Sequence, residues 1–240
     1  MSIAMNKIWT NQFRFGFDTE TTGVNPTQVR LVTAALVLRQ PKGEDQVITW
    51  LANPGVPIPE AASRVHGIST ERAVAEGRPI TEVLEEVASQ IVDYWQRGGI
   101  MVAFNAGYDL QVLNSELKRH GMATLEERCG ASEVPAGGVV DPLVLDRAVD
   151  RYRKGKRTLG AMCETYQVEP GDNLHTAEYD VIATLNVLDK IVENYPKLAQ
   201  LTVAEIVSFQ REAHHAWAEN FNEFLSRRGR PADVGTRWPY

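Results

Sequence analysis

Apolar residues in this chain follow two different periods, and the changes between them mark out the elements. Phe13 to Phe17 is a short run crowded with bulky apolar residues. Val29 to Leu38 is rich in Val, Leu and Ala, and Gln46 to Leu51 is a third such run. Short runs of this kind read as buried strands, and the turn at Pro41-Lys42-Gly43 makes the three an antiparallel meander. Pro59 to Val65 reads as a short helix, followed by a loop over His66 to Ser69. Between Ile80 and Trp95 the apolar positions are 80, 83, 84, 87, 91 and 95, which is helical spacing, and Arg97-Gly98-Gly99 closes that helix. Ile100 to Phe104 is a further buried strand. Leu110 to His120 repeats the helical period at 110, 113 and 117 and stops at Gly121.

Residues 124–138 read as loop. Val139-Val140 predicts a short strand, and Asp141-Pro142 opens a helix with proline in its first turn. Leu159 to Tyr166, His175 to Tyr195 and Leu201 to Arg228 follow as helices. In the last of these, Ile206, Ala213, Trp217, Phe221 and Phe224 fall near one stripe. Such a stripe packs most often on the protein's own core and less often on a partner. Arg230 to Tyr240 mixes Pro, Gly and polar residues and reads as a loose peripheral tail. Three strands followed by alternating helices and strands predict an α/β protein, a mixed sheet with helices packed on it.

Composition narrows the function classes. At 240 residues, one domain plus an extension is the natural expectation. A net charge of −6 argues against a generally cationic nucleic-acid binder, so any grip on nucleic acid must be local. The two cysteines, Cys129 and Cys163, exclude a disulfide framework and a Cys-rich zinc site and suit a reducing cytoplasm. Residues 1–10 contain no continuous apolar stretch, so no signal peptide is expected, and no run of apolar residues is long enough to span a membrane. His214 and His215 are adjacent, and adjacent positions diverge on a helix, so they do not share a metal.

The candidate chemistry begins at the end of the first strand. Asp18 and Glu20 are two positions apart and share a face of an extended chain. Carboxylates so close repel, which raises a pKa unless a cation is present, and hard divalent cations take oxygen ligands. Thr21, Thr22 and Gly23 then turn the chain where a ligand can approach the backbone. Solvated acids at a strand end are the plain alternative for this pair alone. Asp109 follows a second strand, however, and Asp180 sits on a late helix. Ligands gather at strand ends in sheets of this type. His66 is either a substrate contact or a hydrogen-bonded structural histidine, and spacing favours the second. Arg151, Arg153, Lys154, Lys156 and Arg157 put five positive charges into seven residues. That segment is either a solvated loop or a contact for substrate phosphates.

Three blocks carry a family resemblance. Phe17-Asp-Thr-Glu-Thr-Thr-Gly23, Asn105-Ala-Gly-Tyr-Asp109 and His175-Thr-Ala-Glu-Tyr-Asp180 resemble, in order, the three motifs of the DEDD exonucleases. The His-x-x-x-x-Asp spacing is that of the DEDDh, or DnaQ-like, subclass, which includes the proofreading epsilon subunit of bacterial DNA polymerase III and ribonuclease T. Thr176 stands where the tyrosine subclass has its tyrosine. The resemblance covers roughly residues 12–195. It implies a ribonuclease H-like fold, with residues 1–195 as the exonuclease domain and 196–240 as a helical extension and tail.

It also implies a site. Asp18, Glu20, Asp109 and Asp180 would hold two ions, Mg²⁺ or Mn²⁺, with His175 as general base, and nucleotides would leave from a 3′ end. Thr21, Thr22, Gly23, His66, Asn105 and Tyr108 are expected around the terminal nucleotide, and the basic segment around upstream phosphates. The implied partner is single-stranded or 3′-ended DNA or RNA, in proofreading or DNA repair. The aromatic helix is available for a polymerase or repair partner or for self-association. Past residue 195 the chain lacks the Gly- or Gln-rich linker and tethering tail expected of an epsilon subunit. Two alternatives remain: an oligoribonuclease-like RNase, and a catalytically silent docking or binding module on the same fold.

Overall fold

A computed structural model describes residues 5–40, 44–131, 137–169 and 176–240. Its strands are β1 (Arg14–Thr21), β2 (Leu31–Arg39), β3 (Gln46–Asn53), β4 (Arg78–Pro79), β5 (Ile100–Val102) and β6 (Gly138–Val140). Its α-helices are α1 (Glu60–His66), α2 (Thr70–Glu76), α3 (Ile80–Gln96), α4 (Ala106–Arg119), α5 (Leu125–Cys129), α6 (Pro142–Val149), α7 (Leu159–Tyr166), α8 (Ala177–Asn194) and α9 (Val203–Arg227). The described strands form one mixed sheet in the order β4-β3-β2-β1-β5-β6. The meander is present: β1 pairs antiparallel with β2, and β2 with β3. β1, β5 and β6 run parallel, so their C-terminal ends share one edge of the sheet.

Period-2 geometry sends alternate side chains of the central strand to opposite faces. Ala34, Leu36 and Leu38 of β2 join Phe15, Phe17 and Met101 in one core, against α3 and α4. Ala35 and Val37 join Ile100 and Val102 in the other, with Val181, Leu185 and Leu188 of α8. A strand buried on both faces reads as a continuous apolar run, which is why β2 is so legible. The N-terminal part of α9, from Val203 to Gln210, packs beside β6, the strand at the end of the sheet. Gln210 is fully buried there. Its Nε2 donates to the Val139 carbonyl at 2.9 Å and its Oε1 accepts from the Asp141 amide at 2.6 Å. One side chain thus satisfies backbone groups that the strand edge would otherwise leave unpaired.

The structure departs from the sequence reading at several places. β1 continues through the acids to Thr21, so Asp18 and Glu20 lie within the strand. α4 starts at Ala106, four residues before the apolar period begins, which puts Asp109 in its first turn. Residues 124–138 are not all loop: α5 forms at Leu125–Cys129 behind a capping box, in which Thr124 and Glu127 satisfy each other's backbone amides. α2 and β4 also form where no element was assigned. The C-terminal tail is exposed over residues 230–233 but its end is packed on the body. Trp238 is 5% exposed, and the Tyr240 hydroxyl accepts from Asn114 Nδ2 at 2.6 Å. The Pro239 carbonyl oxygen lies 1.9 Å from where a Cβ on Gly107 would stand, so that tail packing requires glycine in the first turn of α4.

Candidate active site

The site is assembled at the shared C-terminal edge of β1 and β5. Asp18 and Glu20 project from one face of β1, and a register shift follows directly after Glu20. A bulge there terminates regular pairing and re-aims the chain. α8 crosses that same face and brings Asp180, in its first turn, onto the pair. One carboxylate oxygen from each of Asp18, Glu20 and Asp180 lies within 4.8 Å of the others, and all three residues are half-buried. Hard divalent cations take oxygen donors at 2.0–2.6 Å, so three oxygens this close fit the coordination of such an ion.

Asp109 approaches from the other side. β5 pairs with β1 only as far as Gly16, which leaves the Thr19 amide without a strand partner on that side. Asp109 Oδ1 accepts from that amide at 3.0 Å and from Thr19 Oγ1 at 2.6 Å. Asp109 is therefore tied to the residue between the two acids of β1. It stands outside the tight triad but close enough to act on it electrostatically.

The charges raise one another's pKa values. Burial lifts Asp18 well above the carboxylate range, and Asp109, Glu20 and Asp180 add to the lift in that order. Burial, then Asp180 and Asp109, push Glu20 up to about 8. Asp109 is also raised, chiefly by burial, with the Thr19 hydrogen bonds opposing. Acids whose pKa values are raised by burial and then by one another's charge are relieved by a cation among them.

The surrounding residues divide into those that face a cleft and those that hold the frame. The Tyr108 hydroxyl donates to the Gly23 carbonyl at 2.7 Å and lies 2.7 Å from Thr21 Oγ1, which also donates to Gly23 at 2.8 Å. Thr22 Oγ1 accepts from the Arg30 amide at 2.9 Å. The turn after β1 is thus locked internally by Thr21, Thr22, Gly23 and Tyr108. His66 is buried, and its Nδ1 accepts from the Ile68 amide at 3.2 Å. Burial lowers its pKa, with the Thr21 backbone opposing. His66 and Glu20 nevertheless line one cleft of about 400 Å³, with Trp50, Leu51, Ile68 and Thr176. Asn105 has left-handed backbone geometry, with φ 61°, a conformation that asparagine tolerates better than most residues. His175 lies outside the described residues.

Asp141 is a positioning residue that the sequence showed only as a helix start. Its carboxylate accepts from the amides of Asn105 at 3.1 Å, Ala106 at 3.0 Å and Leu143 at 2.9 Å. One side chain therefore caps both α6 and α4, and α4 carries Tyr108 and Asp109. Burial raises its pKa, and these three amides and Trp238 of the tail oppose the rise.

The basic segment is split. Arg153 donates to Asp146 Oδ2 at 2.7 Å, and Arg157 pairs with the same oxygen. Asp146 is fully buried and also accepts from the Tyr166 hydroxyl at 2.7 Å. Arg153 and Arg157 thus serve the fold by neutralising a buried acid, which corrects their reading as free phosphate contacts. Arg151, Lys154 and Lys156 are exposed.

A family model for exonucleases, RNase_T, matches residues 15–188. The chain belongs to the RNase_T exonuclease family. Exonucleases of this type use divalent metal ions, and the acidic triad suits them. Among relatives, a DNA polymerase III subunit epsilon-like protein of Rhodobacter capsulatus is 38% identical over 100 residues, covering 40% of this chain and 13% of that protein. A PolC-type DNA polymerase III of Caldanaerobacter subterraneus is 26% identical over 196 residues, covering 82% of this chain and 13% of that one. The chain therefore spans only a small fraction of these relatives' length. Among solved structures, exonuclease I from Methylocaldum szegediense superposes with a TM-score of 0.63 at 22% identity, covering 78% of this chain and 42% of that chain. Exonuclease X in complex with 5′ overhanging duplex DNA gives 0.57 at 22% identity, covering 82% and 98%. These likenesses establish the ribonuclease H-like exonuclease fold.

Proposed function

We propose that the chain is a 3′–5′ exonuclease that removes nucleoside monophosphates from DNA ends. The observation that carries this reading is the convergence of Asp18, Glu20 and Asp180 within 4.8 Å, with Asp109 bonded to Thr19 between the two acids of β1. These four carboxylates would hold two divalent ions, Mg²⁺ or Mn²⁺. Such ions, when bound, supply positive charge against the phosphodiester and make water more acidic. His175 is assigned to take the proton of the attacking water, since an imidazole titrates near working pH. A new P–O bond forms to that water and the bond from phosphorus to the 3′ oxygen breaks. The shortened strand leaves with a 3′ hydroxyl, and the nucleotide leaves with its 5′ phosphate.

The cleft beside Glu20 is the proposed seat of the terminal nucleoside. Its walls combine Trp50, Leu51 and Ile68 with His66 and Thr176, a mostly apolar pocket with a few polar groups of the kind that holds small ligands. Tyr108, Thr21, Thr22 and Gly23 act by shaping the turn next to it, and Asn105 by opening α4. Relatives named as DNA polymerase III proteins and solved neighbours bound to DNA support DNA as substrate and a place in proofreading or repair. The two cysteines are free, which fits a reducing cytoplasm. None of the described helices is long and apolar enough to cross a membrane.

The test is a comparison of DNA and RNA oligomers labelled at the 5′ end, with Mg²⁺ and with Mn²⁺. The reading predicts a ladder of labelled products that shorten step by step on DNA, and none in chelator. Internal cuts, or immediate release of the labelled terminal nucleotide, would refute the polarity. Faster degradation of short RNA would favour the oligoribonuclease-like alternative.

A further inference from the structure

The apolar stripe of α9 outlasts the core that it serves. Val203, Ile206, Val207 and Gln210 are buried against the body of the protein. The same face continues as Trp217, Phe221 and Phe224, one or two helical turns apart. Phe221 is 37% exposed and Phe224 43%. The three rings are nearly parallel, with interplanar angles of 14° and 13° and centroids 5.4 and 6.1 Å apart. Parallel rings at such separations are offset-stacked, so each leaves part of its face uncovered. Guanidinium groups close both ends of the row. Arg147 lies 3.7 Å over Trp217, and Arg228 4.5 Å over Phe224.

The other wall of this groove is the basic segment. Arg147 and Arg151 face Ala213, Trp217 and Asn220 across a cavity of about 390 Å³, with Arg157 also in its wall but paired to Asp146. Beside Arg151 stands Tyr152, which is 87% exposed, with the guanidinium 5.7 Å from its ring. The basic segment and the Trp217 end of the aromatic stripe, far apart in sequence, therefore meet in one groove, and Phe221 and Phe224 continue the stripe beyond it.

We propose that this groove is a stacking platform for single-stranded nucleic acid upstream of the 3′ end. The proposal rests on the exonuclease reading for its substrate. Flat aromatic faces interleaved with arginines are the means by which proteins hold single strands without reading sequence. The charge favours an anionic occupant: Arg147 and Arg151 line the groove on a chain whose net charge is −6, with Glu212 as the one acid among the lining residues. A second copy of this chain would bring the same arginines to meet their like. An acidic peptide would satisfy the arginines but leave the aromatic faces without flat partners.

The position also suits an upstream strand. α6 begins at Asp141, which holds the turn presenting Asp109, and Arg147 lies roughly 9 Å further along its axis. In this proposal the groove meets only the upstream part of a strand whose 3′ end is at the acids, so a very short oligomer is expected not to sense it.

The experiment compares the wild type with Phe221→Ala/Phe224→Ala, Phe221→Leu/Phe224→Leu and Arg151→Gln/Arg228→Gln. Binding of a fluorescent oligothymidylate of about 20 nucleotides is read by anisotropy in chelator, where nothing is hydrolysed. The alanine and leucine pairs should both weaken binding by roughly tenfold or more, because leucine keeps the apolar bulk but loses the flat ring. An oligomer with abasic sugars should bind the wild type as weakly as the intact oligomer binds the variants. The arginine pair should lower the log–log salt slope by about 0.7 for each phosphate that is no longer neutralised. Turnover of an oligomer of roughly four nucleotides with Mg²⁺ should match wild type in every variant, given the reach just described. Unchanged binding of the long oligomer in the phenylalanine variants overturns the platform. So does a wild-type dimer in sedimentation that these substitutions convert to monomer, which would make the stripe a contact between copies. Failure of the wild type to cut the short oligomer would overturn the exonuclease reading instead, and the binding contrast is scored separately.

Discussion

Val181 stands where a Cβ on Gly16 would be: its Cγ1 lies 2.2 Å from that position, and Leu185 Cδ1 lies 3.1 Å from it. Helix α8 therefore rests directly on the backbone of β1. Gly16 is two residues before Asp18, and Val181 directly follows Asp180. The missing side chain is what lets the last acid reach the first two. Gly16→Ala should destabilise by about 1–3 kcal/mol through overpacking. Hydrolysis should fall by roughly 10²-fold from displacement of Asp180. Thermal melting and turnover of a short oligomer check this pair of effects. Wild-type values for both would mean that α8 adjusts without moving its acid.

The carboxylate cluster predicts a pH dependence with a definite sign. Burial and neighbouring acids raise Asp18, and Glu20 lies at about 8, against ordinary values near 4 in an unfolded chain. The folded protein holds protons that the unfolded chain releases. The cluster's contribution to stability in chelator should be fully present below about pH 4 and be lost as pH rises through about 8. Mg²⁺ requires ionised ligands, so the melting temperature gained on adding it should be larger at pH 8 than at pH 6. Asp18→Asn removes one of the repelling charges. It should flatten the decline, reduce the metal response and abolish hydrolysis. A wild-type melting profile independent of pH in chelator would show that these acids do not repel one another.

Much of this arrangement was legible in the sequence. The strands and most helices followed from period, and the acids from their three motifs. The boundaries failed where a polar residue continues a regular element. Asp18 to Thr21 remain in β1 because the β2 ladder holds them there, whatever their polarity. α5 has no apolar period over its five residues, although Thr124 and Glu127 were a readable capping box. Arg153 and Arg157 looked free because their partner, Asp146, lies on the preceding helix, across a turn whose path the sequence does not give. The tail misled by its Pro and Gly content, since the packing of Pro239 and Tyr240 depends on Gly107 and Asn114, more than a hundred positions away.

Asp141 offers a test of positioning as distinct from chemistry. Asp141→Ala leaves the buried amides of Ala106 and Leu143 and the part-buried amide of Asn105 without this acceptor, at a cost of about 1–3 kcal/mol for each buried group left unsatisfied. It should lower turnover by loosening the turn that carries Tyr108 and Asp109. Asp141→Asn keeps an acceptor and should recover part of both. Equal losses in the two variants would mean that the negative charge at this helix start matters more than its geometry. Equal activity in Asp141→Ala and wild type would remove the residue from the account.

His175→Ala tests the proposed general base. Turnover should fall by about 10²–10⁴-fold. The melting-temperature gain from Mg²⁺ should persist, because His175 is not assigned as a ligand. The acid limb of the pH–rate profile should flatten in the variant. An unchanged acid limb would assign the proton transfer to another group.

In the proposed reaction Asp18, Glu20, Asp109 and Asp180 would hold two ions around the scissile phosphate of the 3′-terminal nucleotide. Anomalous diffraction from crystals grown with Mn²⁺ and a nucleoside 5′-monophosphate measures this directly. Two manganese peaks are expected among these four carboxylates, with the phosphate against both and the nucleoside in the cleft beside Glu20 and His66. No manganese at the carboxylates, or nucleotide bound elsewhere with the four acids unengaged, would contradict this reading.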